Sequence, residues 1–180
     1  VLVVCRANQC RSPFAAAALA ARLERLGLAV TVDSAGTQAV TGAPATEATR
    51  LAAARLGLDL SEHRSHPADE ELVRGADFIL TMERHQLREV VILDPSAFPR
   101  SFTLKELVRR GGDLAPEASA EAPGRRLAFF HAGRRPVDLL GASSDDDVED
   151  PTGNRFADHE TMAREVSELM DRVVELVWGR

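Results

Sequence analysis

The chain has 180 residues, of which 44% are hydrophobic and 28% are charged, as expected for a globular protein with a substantial core. A net charge of −6 argues against general binding to nucleic acid or to an anionic membrane surface. No apolar run reaches the roughly 20 residues that a membrane-spanning helix needs, so neither nucleic acid nor membrane is predicted as a partner.

The hydrophobic pattern predicts strands that alternate with helices. The predicted strands are VLVV (1–4), AVTVDSAGT (29–37), ADFILTM (76–82) and the start of SFTLKELVRR (101–110). The predicted helices are 12–26, 45–59, a short one near 70, 83–93 and the end of SFTLKELVRR. This alternation is typical of an α/β fold with three layers, in which a four-stranded, mostly parallel sheet carries helices on both faces.

The alternation breaks between about residues 111 and 147, which are rich in Gly, Pro, Ala, Ser and charge. We interpret this segment as an insertion that carries a short helix in RRLAFFHAG (125–133) between mobile ends, within a single domain of residues 1–180. The C-terminal residues are periodic again and predict a terminal helix that docks on the core through Met162, Val166, Leu169, Val173 and Val177.

Cysteine usage is low. Cys5 and Cys10 are the two cysteines of the chain, too few for a disulfide framework or a structural zinc site. We therefore expect a cytoplasmic protein with reduced thiols, and no secretory signal peptide is recognisable. Because the sequence begins at Val1 and not at Met, we also expect a few N-terminal residues to be missing from it.

The segment CRANQCRSP (5–13), directly after the first strand, combines several reactive groups. Cys5 ends the strand, and Ser12-Pro13 begins a helix whose N-terminus makes this turn an anion site, which the fold class predicts as a phosphate loop. The helix field and the cation of Arg11 favour a thiolate at Cys5, and Arg11 can grip two phosphate oxygens. A cysteine after a buried strand can equally be an inert core residue. Attack on phosphorus would require a further acid to protonate the departing oxygen.

VCRANQCRSP (4–13) resembles the V-C-x-G-N-x-C-R-S-P loop of the low-molecular-weight protein tyrosine phosphatases. Two further segments are similar to parts of that family: DSAGT (33–37), and DDDVEDPTGN (145–154) with its Asp-Pro motif. The resemblance covers most of the chain outside 111–147. It implies a phosphomonoester hydrolase, a protein tyrosine phosphatase above all, that works through a phosphocysteine intermediate and needs no metal or other cofactor. Its substrate partner would be a phosphorylated protein or a small phosphomonoester.

The resemblance also implies a role for each catalytic residue. Cys5 would attack phosphorus, Arg11 would hold the phosphoryl oxygens, and Asp150 would protonate the leaving group and then activate water. The implied phosphate-binding residues are Arg6, Ala7, Asn8, Gln9, Cys10, Arg11 and Ser12. The alternative for Asp150 is that it belongs to the solvated acidic run that begins at Asp145.

A supporting network and a redox role are implied in the same way. Ser34 and His63 would hold Asn8 in a network that includes Ser12, although His63 can also be an ordinary loop histidine. Cys10 would form a reversible disulfide with Cys5 that protects the nucleophile from over-oxidation. The alternative for Cys10 is that it fills space beneath the loop.

The sequence departs from the family pattern around the substrate. Ala7 replaces a glycine and would distort the loop if that position needed a positive φ. Val40 is the best match to an aromatic wall after DSAGT, and Thr152-Gly153 replaces an aromatic pair, so stacking on a phosphotyrosine ring is in doubt. Gln9 is polar, and a small polar residue there marks relatives that resemble arginine phosphatases. Phe129-Phe130 could form a substitute wall, although the buried face of the inserted helix is the favoured interpretation.

Three alternatives to a tyrosine phosphatase stay open. The first is a protein arginine phosphatase. The second is an arsenate reductase. It would be coupled to an external small thiol, because no cysteine follows Cys10 to relay oxidation. The third is a non-catalytic phosphoryl carrier or phosphate-binding module, which the pairing of Arg11 with Asp150-Pro151 disfavours. The oligomeric state is not predicted.

Overall fold

The computed structural model describes residues 1–118, 122–141 and 145–179. Its strands are β1 (Leu2–Cys5), β2 (Asp33–Gly36), β3 (Ile79–Thr81) and β4 (Ser101–Thr103). Its α-helices are α1 (Arg11–Arg25), α2 (Glu47–Arg55), α3 (Glu70–Gly75), α4 (Arg84–Leu93), α5 (Leu104–Ala118), α6 (Pro123–His131) and α7 (Phe156–Trp178). Two short 3₁₀ helices span Pro95–Arg100 and Pro136–Leu139.

The four strands form one parallel sheet in the order β2-β1-β3-β4. β1 is therefore an inner strand, and it is buried on both faces, as its continuous apolar sequence predicts. The predicted second strand, residues 29–37, is shorter in the structure because β2 lies at the sheet edge and pairs only with the four residues of β1.

Helices cover both faces of the sheet, which confirms the predicted three-layer α/β fold. Val3 of β1 faces one core, formed with α1, α2, α5, α6 and α7. Its neighbours Leu2 and Val4 face the other, formed with α3 and α4. This alternation follows from the period of two in a strand.

The terminal helix α7 forms with the predicted apolar face. Met162, Val166, Val173 and Val177 are buried in the larger core, and Leu169 packs against it while half-buried. None of the described helices is both long enough and apolar enough to span a membrane.

The segment predicted as an insertion differs from expectation at its start. α5 continues through Gly111-Gly112 to Ala118, where the sequence predicted a break. A Cβ at Gly111 would lie 2.7 Å from Cδ1 of Leu176, so the missing side chain lets α5 approach α7 closely. The predicted short helix is present as α6. The mobile ends that the sequence predicted fall in part on 119–121 and 142–144, which lie outside the described residues.

We predict opposite stability effects for alanine at the two neighbouring glycines. Gly112→Ala meets no atom within 4 Å and should raise the free energy of unfolding by about 0.5–1 kcal/mol through helix propensity. Gly111→Ala should lower it by about 1–2 kcal/mol, because the clash with Leu176 outweighs the same gain. Urea unfolding of both variants measures the difference, and equal effects would show that α5 and α7 do not pack closely at Gly111.

Candidate active site

The loop that follows β1 is built around the thiol of Cys5. Cys5 is the last residue of β1, at the carboxyl edge of the sheet, and it is buried. The backbone N–H of Asn8 donates to its Sγ at 3.3 Å, and Oγ of Ser12 lies 3.0 Å from the same sulfur. α1 begins at Arg11, so the N–H groups of its first turn lie at the same loop. These N–H groups stabilise a negatively charged group at this position.

Asn8 holds the loop in its curved shape. It is fully buried and has a φ of 53°, a left-handed conformation that asparagine tolerates better than most residues. Its Nδ2 donates to Oγ of Ser12 and to Oγ of Ser34, each at 2.9 Å. Its Oδ1 accepts from the backbone N–H of His66 at 3.0 Å. Both donors and the oxygen of this buried amide are thus satisfied, which fixes its orientation.

His63 supports the backbone of the same residue. Its Nε2 lies 2.7 Å from the carbonyl oxygen of Asn8. Burial lowers the pKa of His63 more than the hydrogen bond to Asn8 raises it, and nearby Arg64 and His66 lower it further. The ring is therefore neutral near pH 7 and donates its Nε2–H to Asn8. The structure thus brings the predicted Ser34 and His63 to Asn8. His66 also contacts Asn8, but through its backbone N–H, so the residue type at position 66 could not have predicted this contact.

The strain that the sequence assigned to Ala7 lies one residue later. Asn8, not Ala7, has the positive φ, so an alanine at position 7 does not oppose the loop geometry. The tight constraint comes from Gly36 at the end of β2. A Cβ at Gly36 would lie 2.7 Å from the backbone oxygen of Arg6 and 2.8 Å from the nitrogen of Asn8. Only glycine permits this approach of β2 to the loop.

The guanidinium of Arg11 is buried at 1% exposure and pairs with two carboxylates. Nη2 donates to Oδ2 of Asp150 at 2.6 Å, and Nη1 donates to Glu83 and, at 2.9 Å, to the carbonyl oxygen of Val148. Nε is buried and has no partner within the described residues. The sequence prediction missed Glu83, whose one signal is its position directly after the buried strand β3 and Met82.

The acid segment (145–151), which carries Asp150, is fixed to the sheet by residues that precede this aspartate. The backbone N–H of Val148 donates to the carbonyl oxygen of Met82 at 2.8 Å. Asp146, only 2% exposed, accepts from Arg84 at 2.6 Å and from Arg109 at 3.0 Å. Asp146 is therefore not solvated, because two arginines from α4 and α5 face it, and this disfavours the alternative that Asp150 belongs to a solvated acidic run.

The rim of the loop is polar. Arg6 is exposed and donates from Nε to Oε1 of Gln38 at 3.0 Å. The half-buried Gln9 accepts at its carbonyl oxygen from the N–H of Thr46 at 2.9 Å. Cys10 is buried beneath the loop and, like Cys5, is a free thiol. Its protective role stays a prediction.

Neither of the two wall positions carries an aromatic side chain. Thr152 is exposed, and Val40 is 72% exposed on the loop after β2. Phe130 is buried in the main core, as the favoured interpretation requires, and Phe129 is 38% exposed. Their helix α6 is hydrogen-bonded to the end of α7 at Leu176. Since α7 is about 35 Å long and begins beside the acid segment, these phenylalanines lie far from the loop.

Within the described residues, no cluster of His, Cys, Asp and Glu is arranged to hold a metal ion. The chemistry available at the loop is that of a thiol, an arginine and a carboxylic acid. A strand-end thiol that can attack phosphorus, beside a helix N-terminus and an arginine that can hold phosphoryl oxygens, is the arrangement of the cysteine-dependent phosphatases.

Comparison with known proteins narrows this class. The sequence pattern of the low molecular weight phosphotyrosine protein phosphatases matches residues 1–114. The chain is 41% identical over 107 residues to the probable low molecular weight protein-tyrosine-phosphatase EpsP of Ralstonia solanacearum, covering 59% of this chain and 71% of that protein. It is 32% identical over 142 residues to a protein-arginine-phosphatase of Geobacillus stearothermophilus, covering 78% of this chain and 89% of that protein.

A solved structure of a low molecular weight protein tyrosine phosphatase from T. tengcongensis superposes with a TM-score of 0.73 at 30% identity, over 97% of this chain and 96% of that one. The chain therefore belongs to the low molecular weight phosphotyrosine protein phosphatase family. Both the family and the cysteine-dependent phosphatase activity that the loop predicted are confirmed.

We predict that Asp146 makes stability depend on pH. Burial alone would raise the pKa of Asp146, but hydrogen bonds from Arg109 and Arg84 hold it below its usual value. A carboxyl with a lowered pKa contributes stability that is complete above its unfolded value of about 4 and is lost as pH falls through the folded value. Asp146→Asn should therefore cost about 2 kcal/mol at neutral pH and progressively less in acid.

Urea unfolding at a series of pH values measures this effect. Asp145→Asn is the matched control, because the neighbouring Asp145 is exposed. Parallel curves for Asp146→Asn and the parent protein would contradict the assignment.

Proposed function

We propose that this phosphatase removes phosphoryl groups from protein side chains through a phosphocysteine on Cys5, with Arg11 binding the phosphoryl group and Asp150 as the acid. The observation that carries the proposal is the buried guanidinium of Arg11, which is paired with Asp150 while its Nε–H has no partner in the described structure. A buried donor without an acceptor is costly, and a phosphoryl oxygen supplies the acceptor.

In the first half-reaction, the sulfur of Cys5 attacks phosphorus. The S–P bond forms while the bond from phosphorus to the leaving oxygen breaks, and the proton of the Asp150 carboxyl moves to that oxygen. The N–H of Asn8 stabilises the thiolate before attack, and the hydroxyl of Ser12 does so when its proton turns from the carbonyl oxygen of Ala35 to the sulfur. Arg11 and the loop N–H groups hold the phosphoryl oxygens as charge develops on them.

In the second half-reaction, water releases the phosphoryl group. The Asp150 carboxylate takes a proton from water as the water oxygen attacks phosphorus, and the S–P bond breaks. Inorganic phosphate leaves, the thiolate of Cys5 is regenerated, and Asp150 is protonated for the next cycle. Atoms and charge therefore balance without a metal ion or a redox partner.

Asp150 and the substrate compete for the same guanidinium. Asp150 accepts from Nη2 of Arg11 and from the N–H of Thr152 at 3.1 Å, and its side chain is 37% exposed. A dianionic phosphoryl group is a stronger partner for Arg11 than one carboxylate is. Binding of substrate therefore frees Asp150 from Arg11, while the bond to Thr152 keeps the carboxyl at the leaving-group side.

Phosphotyrosine in proteins is the first substrate candidate, because the family pattern and the Ralstonia relative carry that name. Phosphoarginine is the second candidate, and the polar rim favours it. Where an aromatic wall would stack on a tyrosine ring, Thr152 and the exposed Val40 offer none. Two of the relatives are named protein-arginine-phosphatases.

Hydrolysis is better supported than phosphoryl storage or arsenate reduction. A phosphoryl carrier stores its phosphocysteine, whereas in this proposal Asp150, hydrogen-bonded to Arg11, activates water against it. Arsenate reduction would rely on an external small thiol, because the chain has no third cysteine. We place the reaction in the cytoplasm, since a thiolate nucleophile with a second thiol in the same loop needs a reducing environment.

We predict that Asp150→Asn separates substrates by their leaving group. The variant should lose about 100-fold or more in kcat for phenyl phosphate, whose leaving oxygen needs a proton, and much less for para-nitrophenyl phosphate. Glu149→Gln, at the exposed neighbouring carboxyl, is the control and should keep parent activity with both. Cys5→Ser should abolish turnover. Equal losses with both substrates would remove the acid role from Asp150, and turnover by Cys5→Ser would overturn the phosphocysteine.

We predict that an aromatic residue on the rim shifts the substrate preference. Thr152→Tyr should raise kcat/KM for a phosphotyrosine peptide about fivefold by stacking, and should not raise it for a phosphoarginine peptide of the same sequence. Thr161→Tyr, on the exposed face of α7, controls for a general effect of added tyrosine. A parent protein that already prefers phosphotyrosine, with no gain in Thr152→Tyr, would contradict the argument from the missing walls.

A further inference from the structure

A row of polar side chains connects the phosphate loop with α7, and catalysis uses none of its distal members. Sγ of Cys10 lies 3.3 Å from Oγ1 of Thr46. Oγ1 of Thr46 donates to Oγ1 of Thr49 at 2.9 Å, and Oγ1 of Thr49 lies 3.1 Å from Nδ1 of His159. Cys10, Thr49 and His159 are 4%, 0% and 3% exposed. A buried thiol and a buried imidazole are therefore joined by continuous hydrogen bonds across the start of α2.

The protons in this row point in one direction. A threonine hydroxyl has one proton, and Thr46 uses its own on Thr49. In its bond with Cys10, Thr46 is therefore the acceptor and the thiol is the donor. In the tautomer of His159 that carries its proton on Nε2, the hydroxyl of Thr49 donates to Nδ1. The row runs from the S–H of Cys10 to an unprotonated ring nitrogen.

His159 is a neutral ring that can accept a proton, and two carboxylates oppose the cost that burial adds to its protonation. Burial lowers the pKa of His159 more than the carboxylates of Asp150 and Asp158 raise it, so the ring is neutral near pH 7. Asp158 lies on α7 itself, and Asp150 lies on the segment before it; these are the charged groups that act on the ring. Both are negative and stabilise the imidazolium once it forms.

We propose that His159 is the proton acceptor of Cys10, acting through Thr46 and Thr49. The thiol proton passes to Thr46, the proton of Thr46 passes to Thr49, and the proton of Thr49 passes to Nδ1 of His159. The products are a Cys10 thiolate and a His159 imidazolium. The reoriented hydroxyl of Thr46 then donates to the thiolate, as the hydroxyl of Thr152 does at 3.5 Å.

A thiolate at Cys10 is the species that reacts with an oxidised neighbour. When a peroxide converts Cys5 to its sulfenic acid, the sulfur of Cys10 attacks the sulfur of Cys5, the S–S bond forms, and the S–O bond breaks. The proton held by His159 returns to the departing hydroxide, which leaves as water. His159 is a positioning residue for this step, and its role is independent of phosphatase turnover.

The titration of Cys10 tests the proposal in a Cys5→Ser background, where Cys10 is the sole cysteine. Thr49→Val breaks the row with a side chain of the same shape, and Thr49→Ser keeps the hydroxyl. The ultraviolet absorbance of the thiolate follows the titration of Cys10. Thr49→Val and His159→Gln should each raise its midpoint by about one pH unit, and Thr49→Ser should not. Equal midpoints in Thr49→Val and Thr49→Ser would overturn the proposal.

A second measurement uses the chain with Cys5 intact. After a stoichiometric amount of hydrogen peroxide, mass spectrometry follows disulfide formation over a range of pH. Near neutral pH, Thr49→Val should form the disulfide about threefold more slowly than Thr49→Ser, because a smaller fraction of Cys10 is thiolate. The effect is only about threefold because the thiolate of that variant is also more nucleophilic. The difference should vanish at high pH. Should His159→Gln fail to fold, the Thr49 pair decides alone, and equal rates at every pH would refute the relay.

Discussion

Burying the guanidinium of Arg11 removes a full positive charge from water, and the structure compensates it with Glu83, Asp150 and the carbonyl oxygen of Val148. A buried ion without such partners would cost several kcal/mol. Since the partners come from the end of β3 and from the acid segment, this one charge joins distant parts of the sequence at the loop. The cation that we propose binds substrate thus also assembles the site, and its Nε–H is left without a partner in the described structure.

The loop keeps its shape around Arg11 because β1 and β2 support its backbone. β1 is buried on both faces, which makes it a rigid support for a nucleophile at its last residue. Gly36 lets β2 close against Arg6 and Asn8, and the amide of Asn8 uses all of its hydrogen-bonding groups inside the protein. The loop geometry is therefore fixed by contacts inside the protein, and the proposed binding of a phosphoryl group needs little reorganisation.

The sequence predicted the parts of this site whose signal is local. Strand-helix alternation and the order Cys5, Arg11, Ser12-Pro13 are local patterns, and both the fold and the family follow from them. Glu83 and Asp146 were missed because their roles depend on which arginines face them across the fold, and an isolated carboxylate or an acidic run carries no such information. The continuation of α5 through Gly111-Gly112 was missed for the same reason. Its packing partner Leu176 lies in a helix distant in sequence, and tertiary packing there overrides local propensity.

In the proposed function, reaction chemistry and substrate choice are located on different residues of this molecule. The groups that handle phosphorus are buried and mutually hydrogen-bonded, so a change at any of them disturbs the others. The rim residues Arg6 and Val40 are exposed and can vary without that cost. Cys10 lies between the two sets: it shares the loop with the nucleophile, yet its thiol faces Thr46 and Thr152. In the reduced protein the thiol of Cys10 is therefore hydrogen-bonded to its own partners and not to the groups around the sulfur of Cys5.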